Sequence, residues 1–276
     1  MVNVNIYTVF GNPIAQSKSP SIHHMFAKQV GLTIEYDRTL ASKDDFISIL
    51  TTFFLNKDAK GCNVTAPFKE QVAKWVNELS IGAKIAGAVN TVIRKEDGTF
   101  LGDTTDGLGL VKDLLRLGIQ IKGARILLLG AGGAARGVLQ SILALEPALL
   151  IIANRTEEKA KQLASLIPQD NFMGMGLNQL NDVQQPFDLI INSTSASLTG
   201  ELPPVSESVI SSSDCIYDMN YGDRPTVFIQ HAKNLGVLNT FDGLGMLVGQ
   251  AAESFYLWTG YRPNVVPVIQ DLRSSL

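Results

Sequence analysis

Short, wholly apolar runs alternate along this chain with longer segments whose apolar residues return every three or four positions. That alternation predicts βαβ units and a mostly parallel sheet. Ile6–Phe10 reads as a first strand, stopped by Gly11-Asn12-Pro13. A helix from Pro20 to Val30 follows, with Ser19 in the N-cap position and Pro20 at the first helical one. Gly61–Thr65 reads as a buried strand and Phe68–Leu79 as the helix after it. Ala88–Ile93 and Thr99–Leu101 flank Glu96-Asp97-Gly98, the signature of a hairpin turned by Asp-Gly. Asp106–Leu117 reads as a helix connecting two domains.

A second block begins at Arg125. Ile126–Leu129 is an all-apolar strand, Gly130–Ala135 is glycine-rich, and Ala134–Leu145 reads as a helix. Leu149–Ala153, Phe187–Asn192 and Cys215–Met219 predict further strands. Thr156–Leu166 predicts a charged helix, and Met246–Trp258 a helix apolar over most of its surface. No internal repeat or low-complexity tract interrupts the series.

The chain's 276 residues suffice for one large or two modest domains. With 45% hydrophobic and 18% charged residues, it has the composition of a globular enzyme and not of a disordered chain. A formal charge of −3 gives no electrostatic footprint for nucleic acid and no polybasic membrane anchor. No apolar run reaches the ~18 residues needed to span a bilayer. Met1 to Phe10 carries no positive leader segment and is interrupted by Asn3 and Asn5, so it does not read as a signal peptide. Cys62 and Cys215 stand alone, and the three histidines show no ligand spacing, so no metal site or disulfide is expected. A reduced, cytoplasmic protein is the expectation.

Candidate chemistry concentrates at element ends. Gly130-Ala131-Gly132-Gly133-Ala134-Ala135 fits G-x-G-x-x-A between a strand and a helix. There the first glycine permits a tight turn, the second lets backbone approach a pyrophosphate, and the small third residue allows close helix–strand packing. The helix N-terminus adds N–H groups and the positive end of a dipole. After the next strand, where NAD sites usually carry a carboxylate, stands Asn154-Arg155-Thr156 with Lys159 on the same helical face. An arginine there suits a 2′-phosphate and favours NADP over NAD. The plain alternative is a solvated basic pair balanced by Glu157 and Glu158.

Nearer the start, Ser17-Lys18-Ser19-Pro20 offers two hydroxyls at a helix N-terminus, either a carboxylate seat or an ordinary cap by Ser19. Asn63-Val64-Thr65-Ala66-Pro67-Phe68-Lys69 puts polar groups at the end of a buried strand, where α/β sheets hold ligands. Lys69 reads equally as a solvated first-turn lysine. Asn90-Thr91 and Thr104-Thr105-Asp106-Gly107 add amide, hydroxyl and carboxylate groups, and Asp106 alone reads as a helix cap.

Taken in order, these segments resemble the shikimate dehydrogenases over almost the whole chain. The matching motifs are Gly11-Asn12-Pro13-Ile14 with Ser17-Lys18-Ser19-Pro20, Asn63-Val64-Thr65 with Pro67 and Lys69, Gly87-Ala88-Val89-Asn90-Thr91, and Thr105-Asp106-Gly107. They continue with Gly130–Ala135, Asn154-Arg155-Thr156, Tyr217-Asp218-Met219 with Tyr221, and Asp242-Gly243-Leu244-Gly245-Met246-Leu247 with Gln250.

The resemblance implies an α/β fold of two domains: a substrate-binding domain over 1–105, a Rossmann-type, doubly wound NADP domain over 106–240, and a tail, 241–276, returning to the first. It implies NADPH-dependent reduction of 3-dehydroshikimate to shikimate, with the site in the cleft between the domains and a cleft that opens and closes. Ser17 and Ser19 would hold the ring carboxylate. Thr65, Asn90, Asp106 and Gln250 would bond the ring hydroxyls, and Tyr221 would help close the site. Lys69 would act as acid and base, with Asp106 beside it. Gly130, Ala131, Gly132, Gly133 and Ala134 would cradle the pyrophosphate. Asn154, Arg155, Thr156 and Lys159 would hold the 2′-phosphate, and Met219 and Gly243 would line the nicotinamide. Partners would be small molecules, with no nucleic acid and no membrane, and the protein a monomer or a homodimer.

Four positions depart from the family's common pattern. Gln16 stands for His, Thr104 for Asn, Ser197 for Gly and Lys159 for Arg. Gln16 and Thr104 flank substrate residues and bear on affinity or specificity, Ser197 on the stiffness of a loop near the cofactor, and Lys159 on NADP preference. Three other readings use the same scaffold. An NAD-dependent quinate/shikimate dehydrogenase would place an acid where Arg155 stands. A non-catalytic NADP-binding module would need neither Lys69 nor Asp106. A tetrahydrofolate- or tRNA-linked dehydrogenase would not need Ser17, Ser19 and Gln250 together.

Overall fold

The computed structural model describes residues 4–276. Met1 to Asn3, part of the segment read for a leader, lie outside the described residues. The chain packs as two compact units: residues up to Gly109 with Val248–Leu272, and Leu110–Leu247 with Arg273–Leu276.

The first unit contains β1 (Asn5–Gly11), α1 (Ser19–Gln29), β2 (Ile34–Leu40), α2 (Phe46–Phe53), β3 (Ala59–Val64), α3 (Lys69–Trp75), β4 (Glu78–Leu79), α4 (Ile81–Ala86), β5 (Thr91–Arg94) and β6 (Phe100–Asp103). Its sheet runs β2-β1-β3-β5-β6-β4. β1 pairs in parallel with β2 and β3, while β3–β5 and β5–β6 are antiparallel. The core on one side is aromatic. Phe46 stacks on Phe68 at 4.3 Å between ring centroids, and Phe10 meets Phe46 edge-on. These rings fasten α2 and the entry to α3 against β1.

The chain enters the second unit within α5 (Asp106–Arg116). There follow β7 (Arg125–Leu129), α6 (Gly133–Leu143), β8 (Leu149–Asn154), α7 (Glu157–Ser165), β9 (Phe172–Gly176), β10 (Leu189–Asn192), α8 (Glu207–Ser211), β11 (Cys215–Asp218), α9 (Val227–Asn234) and β12 (Asn239–Asp242). α10 (Leu244–Thr259) and α11 (Val265–Ser274) close the chain. The sheet is wholly parallel in the order β9-β8-β7-β10-β11-β12. That is a doubly wound sheet, with its topological switch between β7 and β10. Successive residues of β7 feed opposite cores: Ile126 and Leu128 one side, Leu127 and Leu129 the other. A strand covered on both faces must be apolar at every position, which is why Ile126–Leu129 shows no alternation.

Several elements differ from the sequence reading. The helix expected over Phe68–Leu79 ends at Trp75. Val76 turns extended, and Glu78–Leu79 pairs in parallel with β6. Asn77 enforces the switch: its backbone N–H donates to the Phe100 carbonyl and its side-chain oxygen accepts from the Phe100 N–H. At α1 the N-cap is Lys18 and not Ser19. The Ser17 hydroxyl oxygen instead accepts from the Ser19 N–H at 3.3 Å, so Ser19 is the first helical residue. β2, α2, α4, β9, β12 and α11 are absent from the sequence reading, although Ser80 caps the start of α4 through its side chain and Gly87 ends it with a left-handed φ.

One buried group makes the first unit acid-sensitive. His23 is fully buried, stacked on Tyr36 at 4.4 Å and leaning on Trp258, and neither ring nitrogen makes a sound hydrogen bond. Burial pushes its pKa from 6.5 down to about 3, against a smaller opposing pull from Asn63. Between those values the unfolded chain binds a proton here that the folded chain does not, so stability falls as pH drops through that window and is unaffected above it. Urea unfolding of the wild type and of His23→Phe at pH 7 and pH 4.5 checks this. On acidification the wild type should lose about 2–3 kcal/mol more than the variant, and parallel losses would place the acid sensitivity elsewhere.

Candidate active site

In the first unit, β3, β5 and the starts of α3 and α5 bring their polar ends together. Lys69 opens α3, and its Nζ lies 2.6 Å from Asp106 Oδ2 at the start of α5. Both side chains keep partial access to solvent, 32% and 17%. The other carboxylate oxygen, Oδ1, accepts from Asn90 Nδ2 at 2.9 Å. Asn90 is buried, and its amide can lie only one way round. The backbone N–H of Thr105 donates to its Oδ1 at 2.9 Å, so its NH2 must face Asp106 and Gln250 Oε1, the latter at 3.3 Å. Gln250 reaches this point from α10. Thr65 sits half-buried just past β3, its backbone N–H held by the Phe10 carbonyl. The structure thus brings Lys69, Asn90, Asp106 and Gln250 into one hydrogen-bonded group.

The hydroxyls of Ser17 and Ser19 lie 3.2 Å apart at the mouth of α1. Arg38 of β2 holds the Ser17 carbonyl through Nε and Nη2 at 2.9 and 2.6 Å. Lys18, at the N-cap, makes no side-chain cap, and Ser19 beside it is buried. Beside Ser19, Tyr36 is fully enclosed. Burial raises its phenol pKa, with the Cys62 thiol adding to that and Ser19 opposing it, so the hydroxyl stays a donor and gives its proton to Asn63 Oδ1 at 2.7 Å. Gln16 is exposed and turns back to the Pro13 carbonyl at 3.4 Å.

In the second unit, the glycine-rich turn follows β7 at the switch point of the sheet. Gly130 has φ +101°, and a Cβ there would lie 2.8 Å from Ser193 Oγ. Gly132 is the N-cap of α6 and brings no side chain to its N–H groups, while Ala135 is fully buried against the sheet. At the end of β8, Asn154 Nδ2 donates to the Thr156 carbonyl at 2.9 Å and shapes the turn. Thr156 occupies the N-cap of α7 without capping it through its hydroxyl. Arg155, Thr156 and Lys159 are all exposed. Glu157 pairs with Lys161 at 2.7 Å, so of the two acids in the plain alternative Glu158 alone is left beside Arg155 and Lys159. This is a cationic, backbone-rich surface at the carboxyl end of a parallel sheet. It fits a phosphorylated dinucleotide in the donors it offers and in its sign of charge.

Met219 and Tyr221 follow β11. A Cβ on Gly243 would fall 2.0 Å from the Met219 carbonyl, so only glycine lets the two segments touch. Burial, with Asp242 nearby, raises the pKa of Tyr221. The loop is tied down by Asp218, a fully buried carboxylate that the sequence reading quotes only within the motif Tyr217-Asp218-Met219. It accepts from Asn192 Nδ2, the Asn220 N–H and Asn220 Nδ2 on one oxygen, and from Ser197 and Thr226 hydroxyls on the other. Ser197 thus straps its own turn to Asp218 at 2.7 Å. Among the described residues no group of His, Cys, Asp and Glu is arranged to hold a metal ion, and no helix is long and apolar enough to cross a membrane.

The sequence reading names neither Tyr36 nor Ser254, and it quotes Asn63, Thr91 and Thr105 only as parts of motifs. All five are buried polar groups that meet across distant segments of the first unit. Asn63, Thr91 and Thr105 gave a local signal by standing at element ends, and Tyr36 and Ser254 gave none.

Comparison with known proteins finds three family models in order along the chain: "Shikimate dehydrogenase substrate binding domain" over residues 9–92, "Shikimate / quinate 5-dehydrogenase" over 111–200, and "Shikimate 5'-dehydrogenase C-terminal domain" over 243–273. A protein of Vibrio atlanticus named shikimate dehydrogenase (NADP(+)) is 50% identical over 99% of this chain and 98% of its own. Among solved structures, an Ael1 enzyme from Pseudomonas putida is 38% identical with a TM-score of 0.93, covering 97% of this chain and 98% of that one. The shikimate 5-dehydrogenase of Thermus thermophilus, solved with NADP(H) and shikimate, is 29% identical with a TM-score of 0.84, covering 99% and 100%.

The forced orientation of Asn90 yields a pH-dependent prediction. Asn90→Asp keeps an acceptor for Thr105 but sets a second carboxylate against Asp106 Oδ1, 2.9 Å from the replaced nitrogen. Urea unfolding should show a loss of about 1–3 kcal/mol against wild type at pH 8. That loss should shrink at pH 5, where two adjacent carboxylates can share a proton. A loss independent of pH would mean that the two groups do not face one another.

Proposed function

The chain belongs to the shikimate dehydrogenase family, and from that premise we infer that it catalyses the reversible NADP-dependent reduction of 3-dehydroshikimate to shikimate, a step of aromatic amino-acid biosynthesis. The observation that carries the reading to this chain's own residues is the Lys69–Asp106 pair at 2.6 Å, bound through Asn90 to Gln250.

In this reading the first unit receives the ring. Ser17 and Ser19 hold its carboxylate, on a loop that Arg38 keeps in place through the Ser17 carbonyl. Thr65, Asn90, Asp106 and Gln250 bond the ring hydroxyls. The second unit holds NADP, with its pyrophosphate at Gly130, Ala131, Gly132, Gly133 and Ala134. Arg155 and Lys159 take the 2′-phosphate, with Asn154 and Thr156 shaping that turn, and Met219 and Gly243 line the nicotinamide. The cofactor supplies the hydride.

Lys69 supplies the proton. As the ketone carbon is reduced, its oxygen gains negative charge, and an ammonium N–H placed there stabilises that charge and then transfers its proton to the oxygen. Solvent returns the proton to the amine. In shikimate oxidation the neutral amine takes the hydroxyl proton. Asp106 orients the lysine through Oδ2 while Asn90 fixes Oδ1, so the pair is set before the substrate arrives. The partners are small molecules, and we place the enzyme in the cytoplasm, where NADPH and thiol-reducing conditions prevail.

Nicotinamide absorbance during shikimate oxidation tests this, with NADP and NAD side by side. The wild type should turn over with NADP. Lys69→Ala should lower kcat by about 10²–10⁴-fold with little change in the KM for NADP. Arg155→Ala should raise the KM for NADP and leave that for NAD unchanged. Better turnover of the wild type with NAD, or with quinate, would overturn the cofactor or substrate assignment.

A further inference from the structure

We propose that Ser254 is a positioning residue for ring recognition: its buried hydroxyl joins Asn63 and Thr91 to α10 and so holds Gln250 and Asn90 in the arrangement that meets the substrate. The proposal rests on the reading of Gln250 and Asn90 as ring ligands.

Ser254 lies one helical turn beyond Gln250 on α10 and is fully buried. A serine hydroxyl inside a helix ordinarily bonds back to the carbonyl four residues earlier, and this one reaches the Gln250 carbonyl at 3.1 Å. Its shorter contacts leave the helix. Thr91 Oγ1 of β5 is at 2.7 Å and Asn63 Nδ2 of β3 at 3.0 Å, with Thr105 Oγ1 at 3.3 Å. One hydroxyl thus fastens α10 to two neighbouring strands and to the start of α5.

Counting protons gives the cluster a direction. Tyr36 donates to Asn63 Oδ1, which turns the Asn63 NH2 toward Ser254. Thr91 gives its only proton to Asn90 Oδ1 at 2.9 Å, and in that arrangement the single Ser254 proton goes to Thr91 at 2.7 Å and not to the Gln250 carbonyl at 3.1 Å. The chain therefore runs Tyr36, Asn63, Ser254, Thr91, Asn90, Asp106, each donating to the next, and Lys69 meets the far oxygen of the same carboxylate. Aligned bonds of this kind polarise one another, and removing a middle member frees both sides of the chain to reorient.

The same stretch of α10 is also held by sterics. A Cβ on Gly109 would lie 2.6 Å from the Gln250 backbone nitrogen, and one on Gly249 would lie 3.0 Å from the Gly109 carbonyl oxygen. α10 is therefore pressed against the start of α5 at Gln250, and Ser254 determines how the helix is rotated about that contact.

Steady-state kinetics of Ser254→Ala test the role, with Ser254→Thr as the variant that keeps the hydroxyl and Thr91→Val as an isosteric break one link further on. Ser254→Ala should raise the KM for shikimate about tenfold and leave the KM for NADP within twofold. Thr91→Val should do the same, and Ser254→Thr should recover most of the affinity. In a Gln250→Ala background, Ser254→Ala should add little, because both changes remove one arrangement. Unchanged shikimate KM in Ser254→Ala and Thr91→Val, equal losses for both ligands, or full additivity with Gln250→Ala would each overturn the proposal. A wild type inactive on shikimate would instead strike the functional reading and the proposal with it, whereas an active wild type with an indifferent Ser254→Ala strikes the proposal alone.

Discussion

The first unit's site depends on one backbone hydrogen bond, from the Thr105 N–H to Asn90 Oδ1. An amide side chain can present either end, and in most settings the choice is close in energy. Here a buried peptide N–H, which would be costly to leave unpaired, makes the choice. Asn90 must then offer its NH2 to Asp106 and Gln250, and Asp106 must offer its remaining oxygen to Lys69. Four side chains from four separate segments inherit their orientation from a peptide group in the turn between β6 and α5. Side chains cannot hold one another so well by mutual contact alone, because each would be free to turn with its neighbour.

The second unit solves a different problem. Its parallel sheet is closed on both faces by apolar residues, which leaves polar chemistry only at the strand ends. At β7 that end is free of bulk: Gly130 takes a left-handed φ and Gly132 caps α6 with no side chain. At β8 it carries Arg155 and Lys159, with Glu157 drawn off to Lys161. At β11 it is rigid, because Asp218 gathers five donors from the end of β10 and from the loops that follow β10 and β11. Backbone donors, positive charge and a fixed loop thus come from three strand ends of one sheet, β8 beside β7 and, on the other side, β11 one strand further on.

How much of this could be read beforehand follows from how local each signal is. The turn Gly130–Ala135 was legible because a strand, a tight turn and a helix are written in consecutive residues. Arg155 was legible because its place at a strand end is set by six apolar neighbours. Lys69, Asn90 and Asp106 stood out as polar groups at element ends, though nothing local said that they meet. Ser254 was invisible, since a serine in an apolar helix reads as a tolerated residue until Asn63 and Thr91 are seen beside it. β2 escaped for a related reason: an edge strand bearing Glu35, Asp37 and Arg38 has little apolar pattern to show. The cap at α1 was misread because the Ser17 oxygen, and not that of Ser19, turns back to the helix. Two hydroxyls two residues apart give the sequence no means to choose.

The exposure of the Lys69–Asp106 pair decides what it does for the molecule. At 32% and 17% accessible, neither charge has lost its hydration, so the pair contributes at most about 1 kcal/mol to folding. Complete burial would have tightened the attraction but charged a desolvation cost that such a pair rarely recovers. Partial exposure leaves the lysine able to exchange its proton with water, which a turnover cycle requires, while the carboxylate holds it in line. The pair is therefore better understood as a mount for a mobile proton than as a clasp between α3 and α5. The structural clasp lies one layer deeper, in the neutral bonds among Asn63, Thr91, Thr105 and Ser254, where no charge has to be stripped of water.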